Sequence, residues 1–409
     1  MNRCKAEYIN CLAQDSETKE MISYENNVFS RQSQYLLNES AFPTYKDTNV
    51  EYLAPGELFL PRLIDELKKA KTYIYLEFFI IAEGKMWDSI KNVLFEKALN
   101  GVEIKIIFDD FGSIKRQSKH FISDLRKHGI DVAIFNPIKP PFNVFMNNRD
   151  HRKIVIIDGN VAFTGGINIG DEYINEQKRF GYWMDSAVLI KGKAVDSFFV
   201  MFAIMWKYIT NFSISTNSHL LSEPIENASF VIPYCDGPME ANYTAQGIYT
   251  QILNMAHRYV YITTPYLILD NNMISSLVSA AKSGVDVRII TPFIPDKKYV
   301  HPATQYHYTE LLEAGVRIFE YTPGFMHSKL FLSDDNVATV GSVNMDFRSF
   351  VFHFECGVWF TDSATISEMK AHFNSLTKQS KEIFLNEWKK RSLKRKVNEI
   401  FFHLFSPLM

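Results

Sequence analysis

The chain has 409 residues, 46% of them hydrophobic and 22% charged, with a formal net charge of −2. That is long enough for two ordinary domains and too hydrophobic for a disordered chain. The near-neutral balance argues against a general polyanion binder, so no nucleic-acid partner is expected.

Residues 1–44 are polar, with many Asn and Ser and little periodicity, and are expected to be a weakly structured N-terminal extension. Residues 57–70 carry Leu58, Phe59, Leu63, Ile64 and Leu67 at helical spacing. A strand over 73–80, a helix over 86–100 closed by Gly101, and a strand over 102–108 follow. A helix over 119–128 and a strand over 129–135 complete a βαβαβ order, which predicts an α/β layered domain. The segment 136–148 holds Pro137, Pro140 and Pro141 among apolar residues. It reads as a loop, buried or part of an acyl-chain entrance. Residues 187–190 form a strand, 193–209 a helix packed on the sheet, and the Ser/Asn/Thr-rich stretch that follows a linker.

The second half repeats the first. Tyr259-Val260-Tyr261-Ile262 answers Tyr73-Ile74-Tyr75-Leu76, and Gly284-Val285-Asp286-Val287 answers Gly101-Val102-Glu103-Ile104. The expected division is 1–44 extension, 45–215 first domain, 216–228 linker and 229–409 second domain. The end of the chain places Lys389, Lys390, Arg391, Lys394, Arg395 and Lys396 before Ile400, Phe401, Phe402, Leu404 and Phe405. A basic run beside an apolar one suits an anionic membrane surface, or a docked terminal helix with a solvated basic face.

One motif occurs twice. Asp150-His151-Arg152-Lys153 leads through four apolar residues to Asp158, and Met326-His327-Ser328-Lys329 leads through Leu330, Phe331, Leu332 and Ser333 to Asp334. Each reads His-x-Lys-x4-Asp. His327 follows His151 by 176 positions, and Gly341 follows Gly165 and Asn344 follows Asn168 by the same interval. In a strand, residues two apart share a face, so each His and Lys point the same way and each Asp falls at a strand end. A pair of histidines can divide nucleophilic and acid–base work at a phosphodiester. Lys153 and Lys329 would meet the phosphoryl charge, with Asn168, Asn344 and Ser342 as further phosphate contacts. The chemistry reached in this way is phosphodiester transfer or hydrolysis. Charged lysines are poor metal ligands, so no metal is expected.

These residues resemble the phospholipase D superfamily, whose signature is this duplicated motif. Gly165-Gly166-Ile167-Asn168-Ile169-Gly170-Asp171-Glu172-Tyr173 and Gly341-Ser342-Val343-Asn344-Met345-Asp346-Phe347-Arg348-Ser349, with Glu355, are similar to bacterial cardiolipin synthases. The resemblance spans about residues 52–408. It implies two phospholipase D-like α/β/α sandwich halves related by a pseudo-twofold axis around one shared active site. It also implies transfer of a phosphatidyl group between two phosphatidylglycerol molecules through a phosphohistidine, without a cofactor. His151 would be the nucleophile and His327 the general acid/base, the reverse being open. Asp185 and Glu355 would orient the imidazoles. Of the six motif residues His151, Lys153, Asp158, His327, Lys329 and Asp334, the two aspartates are expected to hold loops together. A phospholipase D-type phosphodiester hydrolase, of lipid rather than nucleic acid, and a non-catalytic membrane-bound scaffold remain the alternatives, with a nuclease disfavoured by the charge balance. The family usually carries two N-terminal membrane helices, yet no stretch here reaches the roughly 18 apolar residues of a span, and no secretory signal is found. Peripheral attachment to the cytoplasmic face of the membrane is therefore expected. Cys4, Cys11, Cys235 and Cys356 form no metal spacing and suit a reducing compartment.

Overall fold

The computed structural model describes every residue except 26, 139–146, 221, 228, 240–242 and 406–409. The proposed acyl-chain entrance falls largely on 139–146 and so lies outside the described residues.

The N-terminal extension is helical rather than weakly structured: α1 (Asn2–Ile9), α2 (Ser16–Glu25) and α3 (Asn27–Ser40). Each helix is anchored by few buried apolar residues, such as Tyr8, Ile22 and Leu36. So sparse a pattern gives little periodic signal in the sequence.

The first half runs β1 (Thr48–Leu53), α4 (Gly56–Lys69), β2 (Tyr73–Phe78), α5 (Lys85–Leu99), β3 (Glu103–Asp109), α6 (Phe121–Lys127), β4 (Asp131–Phe135), β5 (Lys153–Ile157), β6 (Val161–Gly165), β7 (Ala187–Gly192) and α7 (Val195–Thr210). The second runs β8 (Val231–Asp236), α8 (Thr244–Met255), β9 (Tyr259–Thr263), α9 (Asn271–Lys282), β10 (Asp286–Pro292), α10 (Val300–Tyr306), α11 (Tyr308–Ala314), β11 (Arg317–Tyr321), β12 (Leu330–Ser333), β13 (Val337–Gly341), β14 (His353–Phe360), α12 (Ser363–Lys378), β15 (Ser380–Ile383), α13 (Leu385–Lys389) and α14 (Leu393–His403).

The first sheet has the order β1-β7-β6-β5-β2-β3-β4, and the second repeats it as β8-β14-β13-β12-β9-β10-β11, with β15 added at the edge. The parallel run is β2–β3–β4 in the first sheet and β9–β10–β11 in the second, and the motif strands β5 and β12 join it antiparallel. Helices α4, α5 and α6 cover the outer face of the first sheet, and α8, α9 and α11 that of the second.

The inner faces of both sheets meet in one core around α7 and α12. Helix α7 is apolar nearly all round, and residues 197–206 are buried. A helix of that kind has no face to offer water and belongs inside. No described helix is long and apolar enough to cross a membrane.

Two short parallel ladders lock the halves together. Tyr182–Met184 of the first half pairs with Gly324–Met326 of the second, and Arg149–Asp150 pairs with His353–Phe354. Each ladder ends at a motif histidine. The reciprocity is what a twofold relation between the halves requires.

Candidate active site

The backbone of each motif histidine is held by the opposite half. The amide of His151 donates to the carbonyl of Phe354 at 2.9 Å, and that of His327 to the carbonyl of Met184 at 2.7 Å. The motif aspartates lie elsewhere, at the far ends of β5 and β12. Asp158 accepts from the amides of Lys71, Thr72 and Tyr73 at 2.7, 2.8 and 2.9 Å. Asp334 accepts from His257, Arg258 and Tyr259 at 2.7, 2.9 and 2.9 Å. Both have left-handed backbones, with φ of 51° and 57°. Each carboxylate therefore closes a turn and fastens the start of β2 or β9 to the motif strand.

The orienting acids cross over. His151 Nδ1 lies 2.9 and 3.0 Å from the two carboxylate oxygens of Glu355, which belongs to the second half. His327 Nδ1 lies 2.6 Å from Oδ2 of Asp185, which belongs to the first. All four side chains are buried. Burial would raise both acids, but the charges and hydrogen bonds of His151 and His353 outweigh it for Glu355, and those of His327 and Lys329 for Asp185; both stay below their ordinary values. Burial also pushes His151 well below its ordinary value and His327 down to about 4, against the pull of the acids. Each pair at neutral pH is a carboxylate accepting from the Nδ1–H of a neutral imidazole. That tautomer leaves the Nε2 lone pair for a substrate.

The lysines sit beside their own histidines, each ammonium donating to a backbone carbonyl, Lys153 to that of His151 and Lys329 to that of His327. Burial lowers Lys153 to about 8 and Lys329 to about 7, and for Lys329 the charge of Lys153 adds to the effect. The two cations are thus close enough to repel each other. An anionic phosphoryl group between them would relieve both.

The predicted phosphate contacts differ in how free they are. Asn168 accepts from the amide of Ile80 at 3.0 Å and donates to the hydroxyl of Tyr173 at 2.8 Å, leaving one amide hydrogen. Asn344 has a buried Oδ1 with no partner among the described residues. Ser342 is committed away from a phosphate: its hydroxyl donates to Glu355 and accepts from the amide of Cys356 at 3.0 Å. Its counterpart in the first half is Gly166, where an added Cβ would fall 2.1 Å from Asp185. The shorter acid occupies the space that the serine fills in the second half.

Sequence reasoning missed a layer of support. Trp183 Nε1 donates to Asp185 at 3.4 Å, and its ring packs on His327 with centroids 5.0 Å apart. In the second half His353 takes the matching place, two residues before Glu355. Its ring lies 5.3 Å from that of His151, and its Nδ1 is 3.5 Å from Glu355. Arg348 Nε donates to His353 Nε2 at 3.2 Å. A guanidinium cannot accept, so Nε2 is the acceptor and, in the neutral ring, the proton is on Nδ1, facing Glu355. The signal available was strand alternation counted backwards from each acid.

Beneath His151 alone, Arg152 pairs with Glu77 at 2.5 Å and Asp150 at 3.1 Å, while Asp109 accepts from the amide of Asp150 at 3.0 Å. Met326 and Ser328 stand at the corresponding places beside His327. The donor atoms of His151, His353 and Glu355 all lie within 4.8 Å of one another, a spacing open to a cation. Glu355, however, already receives His151, Ser342 and Ser349, the last at 2.5 Å. A metal would have to displace those bonds.

Comparison with known proteins places this geometry in context. The family described as "Cardiolipin synthase, PLD-like domain" matches residues 63–206 and 249–377, one segment in each half. The chain is 36% identical to cardiolipin synthase 2 of Bacillus anthracis over 365 residues, covering 88% of this chain and 71% of that protein. It is 36% identical to a cardiolipin synthase of Geobacillus sp. over 370 residues, 90% of this chain and 74% of that one. An uncharacterized Streptococcus mutans protein is 42% identical over 92% of this chain and 82% of its own length. Among solved structures, a phosphatidylserine synthase from Haemophilus influenzae has the same fold, with a TM-score of 0.69 at 15% identity, covering 93% of this chain and 98% of that one.

Two outcomes are expected. The first concerns the rings that pack on each pair. Partners that orient a metal-bound histidine are commonly worth about 10–100-fold, and the same scale is expected for partners of a carboxylate-held one. W183F and H353L should each lower kcat by about that factor with little change in KM, and H353N, which keeps an N–H donor, should recover most of it. The second concerns stability. His327 is held near 4, below its ordinary 6.5, so the unfolded chain takes up a proton that the folded one refuses. Its stability contribution is complete above about pH 6.5 and is lost as pH falls towards 4, by about 3 kcal/mol. Thermal melts from pH 7 to 4 should show a fall that includes this share, added to those of the buried His301, His307 and His372, and H327N should lessen it.

Proposed function

The chain belongs to the cardiolipin synthase family of phospholipase D-like proteins and is a phosphatidyltransferase of that kind; from this premise we propose a double displacement between two phosphatidylglycerol molecules that gives cardiolipin and glycerol. Nε2 of His151 attacks phosphorus, and the bond from phosphorus to the glycerol headgroup oxygen breaks. His327 gives that oxygen its proton. After glycerol leaves, His327 takes the proton from the terminal hydroxyl of a second phosphatidylglycerol. The new alkoxide attacks the phosphohistidine and displaces His151.

The observation that carries this reading is the pair of buried imidazoles, each bound through Nδ1 to a carboxylate of the other half, so that both present Nε2. Lys153 and Lys329 would hold the equatorial phosphoryl oxygens, with Asn168 and Asn344 as amide donors. The first step needs a neutral His151 and a protonated His327, and the substrate's negative charge favours the one added proton the pair must hold. The role of Ser342 is to fix Glu355 rather than to touch phosphate.

The substrate sets the location. Phosphatidylglycerol resides in a bilayer, so the enzyme works peripherally on the membrane, at the cytoplasmic face. No disulfide joins any of the four cysteines, which suits the reducing side.

Product analysis tests the acceptor. Phosphatidylglycerol vesicles incubated with the protein should yield cardiolipin and glycerol by mass spectrometry. Phosphatidic acid as the main product would make it a hydrolase with water as acceptor. The division of labour is tested by trapping. With a phosphatidyl ester of an activated phenol, H327A should accumulate phosphatidyl label on His151, while H151A should hold none. Label on His327 would reverse the two roles.

A further inference from the structure

Helix α14 is built inside out. Its one buried residue is an acid, Glu399, only 1% exposed, which Arg391 grips at 3.0 and 3.1 Å and Arg395 at 3.4 Å. The helix is docked on α10, with Phe402 against Ile268, Val300 and Ala303 and His403 stacked on Tyr306 at 3.8 Å. Its other large apolar residues point the other way. Leu393 is 77% exposed and Leu404 71%, and Val397, Ile400 and Phe401 are each more than half exposed. These positions follow one another at helical spacing and form a single stripe. Phe384, just before α13, adds to the exposed apolar surface. In a soluble helix the two faces would be exchanged, and a contiguous exposed patch of this kind marks an interaction surface.

Charge selects the partner. Of the six cations in the basic run, three are paired within the chain: Lys389 with Glu313 in an exposed pair at 2.7 Å, and Arg391 and Arg395 with the buried Glu399. Of the two readings of this run, the docked terminal helix is seen, and only part of the run is left for a membrane. Lys390, Lys394 and Lys396 have no side-chain partner among the described residues. Free lysines bordering an apolar stripe match the boundary between headgroups and acyl chains of an anionic bilayer. A second copy packed on the same face would bring two sets of these lysines together, which opposes that pairing.

We propose that α14 is the membrane-docking element of the protein: the stripe from Leu393 to Leu404 enters the acyl boundary while Lys390, Lys394 and Lys396 meet anionic headgroups. This rests on the reading of the chain as a lipid transferase. The docking brings a substrate-bearing surface to the enzyme.

The test uses the full chain in flotation with vesicles of mixed phosphatidylglycerol and phosphatidylcholine, and with phosphatidylcholine alone. Wild type should bind the anionic vesicles and weaken with salt. K390Q/K394Q/K396Q should bind about a hundredfold more weakly at low salt, given about fivefold per lysine. V397E/F401E should lose binding altogether. Wild-type-like binding by both variants, or no binding by wild type, overturns the proposal. So does a wild-type dimer, seen by light scattering, that V397E/F401E dissolves, because the face would then cover a second copy. Should V397E/F401E fail to fold, the lysine variant decides. Short-chain phosphatidylglycerol, dispersed as monomers, separates the two claims. Failure to turn it over would count against the transferase reading, and the vesicle result would still decide the docking.

Discussion

Everything in this molecule depends on two carboxylate–imidazole pairs that cross between its halves. Removing these charges from water is expensive, and a buried acid left without its partner would cost several kcal/mol. Neither half can satisfy its own pair: Glu355 meets His151 and Asp185 meets His327. The active site therefore exists only when the halves are docked. The shared core around α7 and the two short ladders, which end at the histidines themselves, hold that docking in place.

The electrostatics of the cleft are balanced for an anion that arrives from outside. Two lysines face two carboxylates, and burial has brought the lysines down to about 8 and 7. A phosphodiester lowers the cost of keeping both ammonium groups charged, so substrate binding and the charged state of the site reinforce each other. The two sides are nonetheless unequal. His151 rests on a further histidine and on the buried Arg152–Glu77–Asp150 group, whereas His327 rests on tryptophan. A titratable neighbour on one side and an inert one on the other give a structural basis for different duties in a duplicated frame.

Much of this could be read from the sequence, because duplication writes the same constraints twice. The 176-residue interval joined His151 to His327 and Gly165 to Gly341, and the strand order that carries them repeats as that interval implies. Asp185 and Glu355 were legible as acids near each motif, but a linear sequence does not say which half's histidine an acid will meet. His353 was hidden for a related reason: its meaning comes from Arg348 fixing its tautomer, a tertiary fact. Ser342 was assigned to phosphate from its place in the motif, whereas the bulk and hydrogen bonding of Glu355 claim its hydroxyl. In α14 the basic run looked uniform, since nothing in its composition shows that Glu399 turns inward and takes two arginines with it.

The crossing itself can be observed directly. Histidine Nδ1 protons shared with buried carboxylates give separate low-field proton NMR signals, and nitrogen-15 labelling of histidine, with H151N and H327N as controls, assigns them. E355Q should shift or remove the signal of His151 and leave that of His327 in place, and D185N should do the opposite. A spectrum in which E355Q instead perturbs His327, or in which each substitution disturbs the histidine of its own half, would contradict the account.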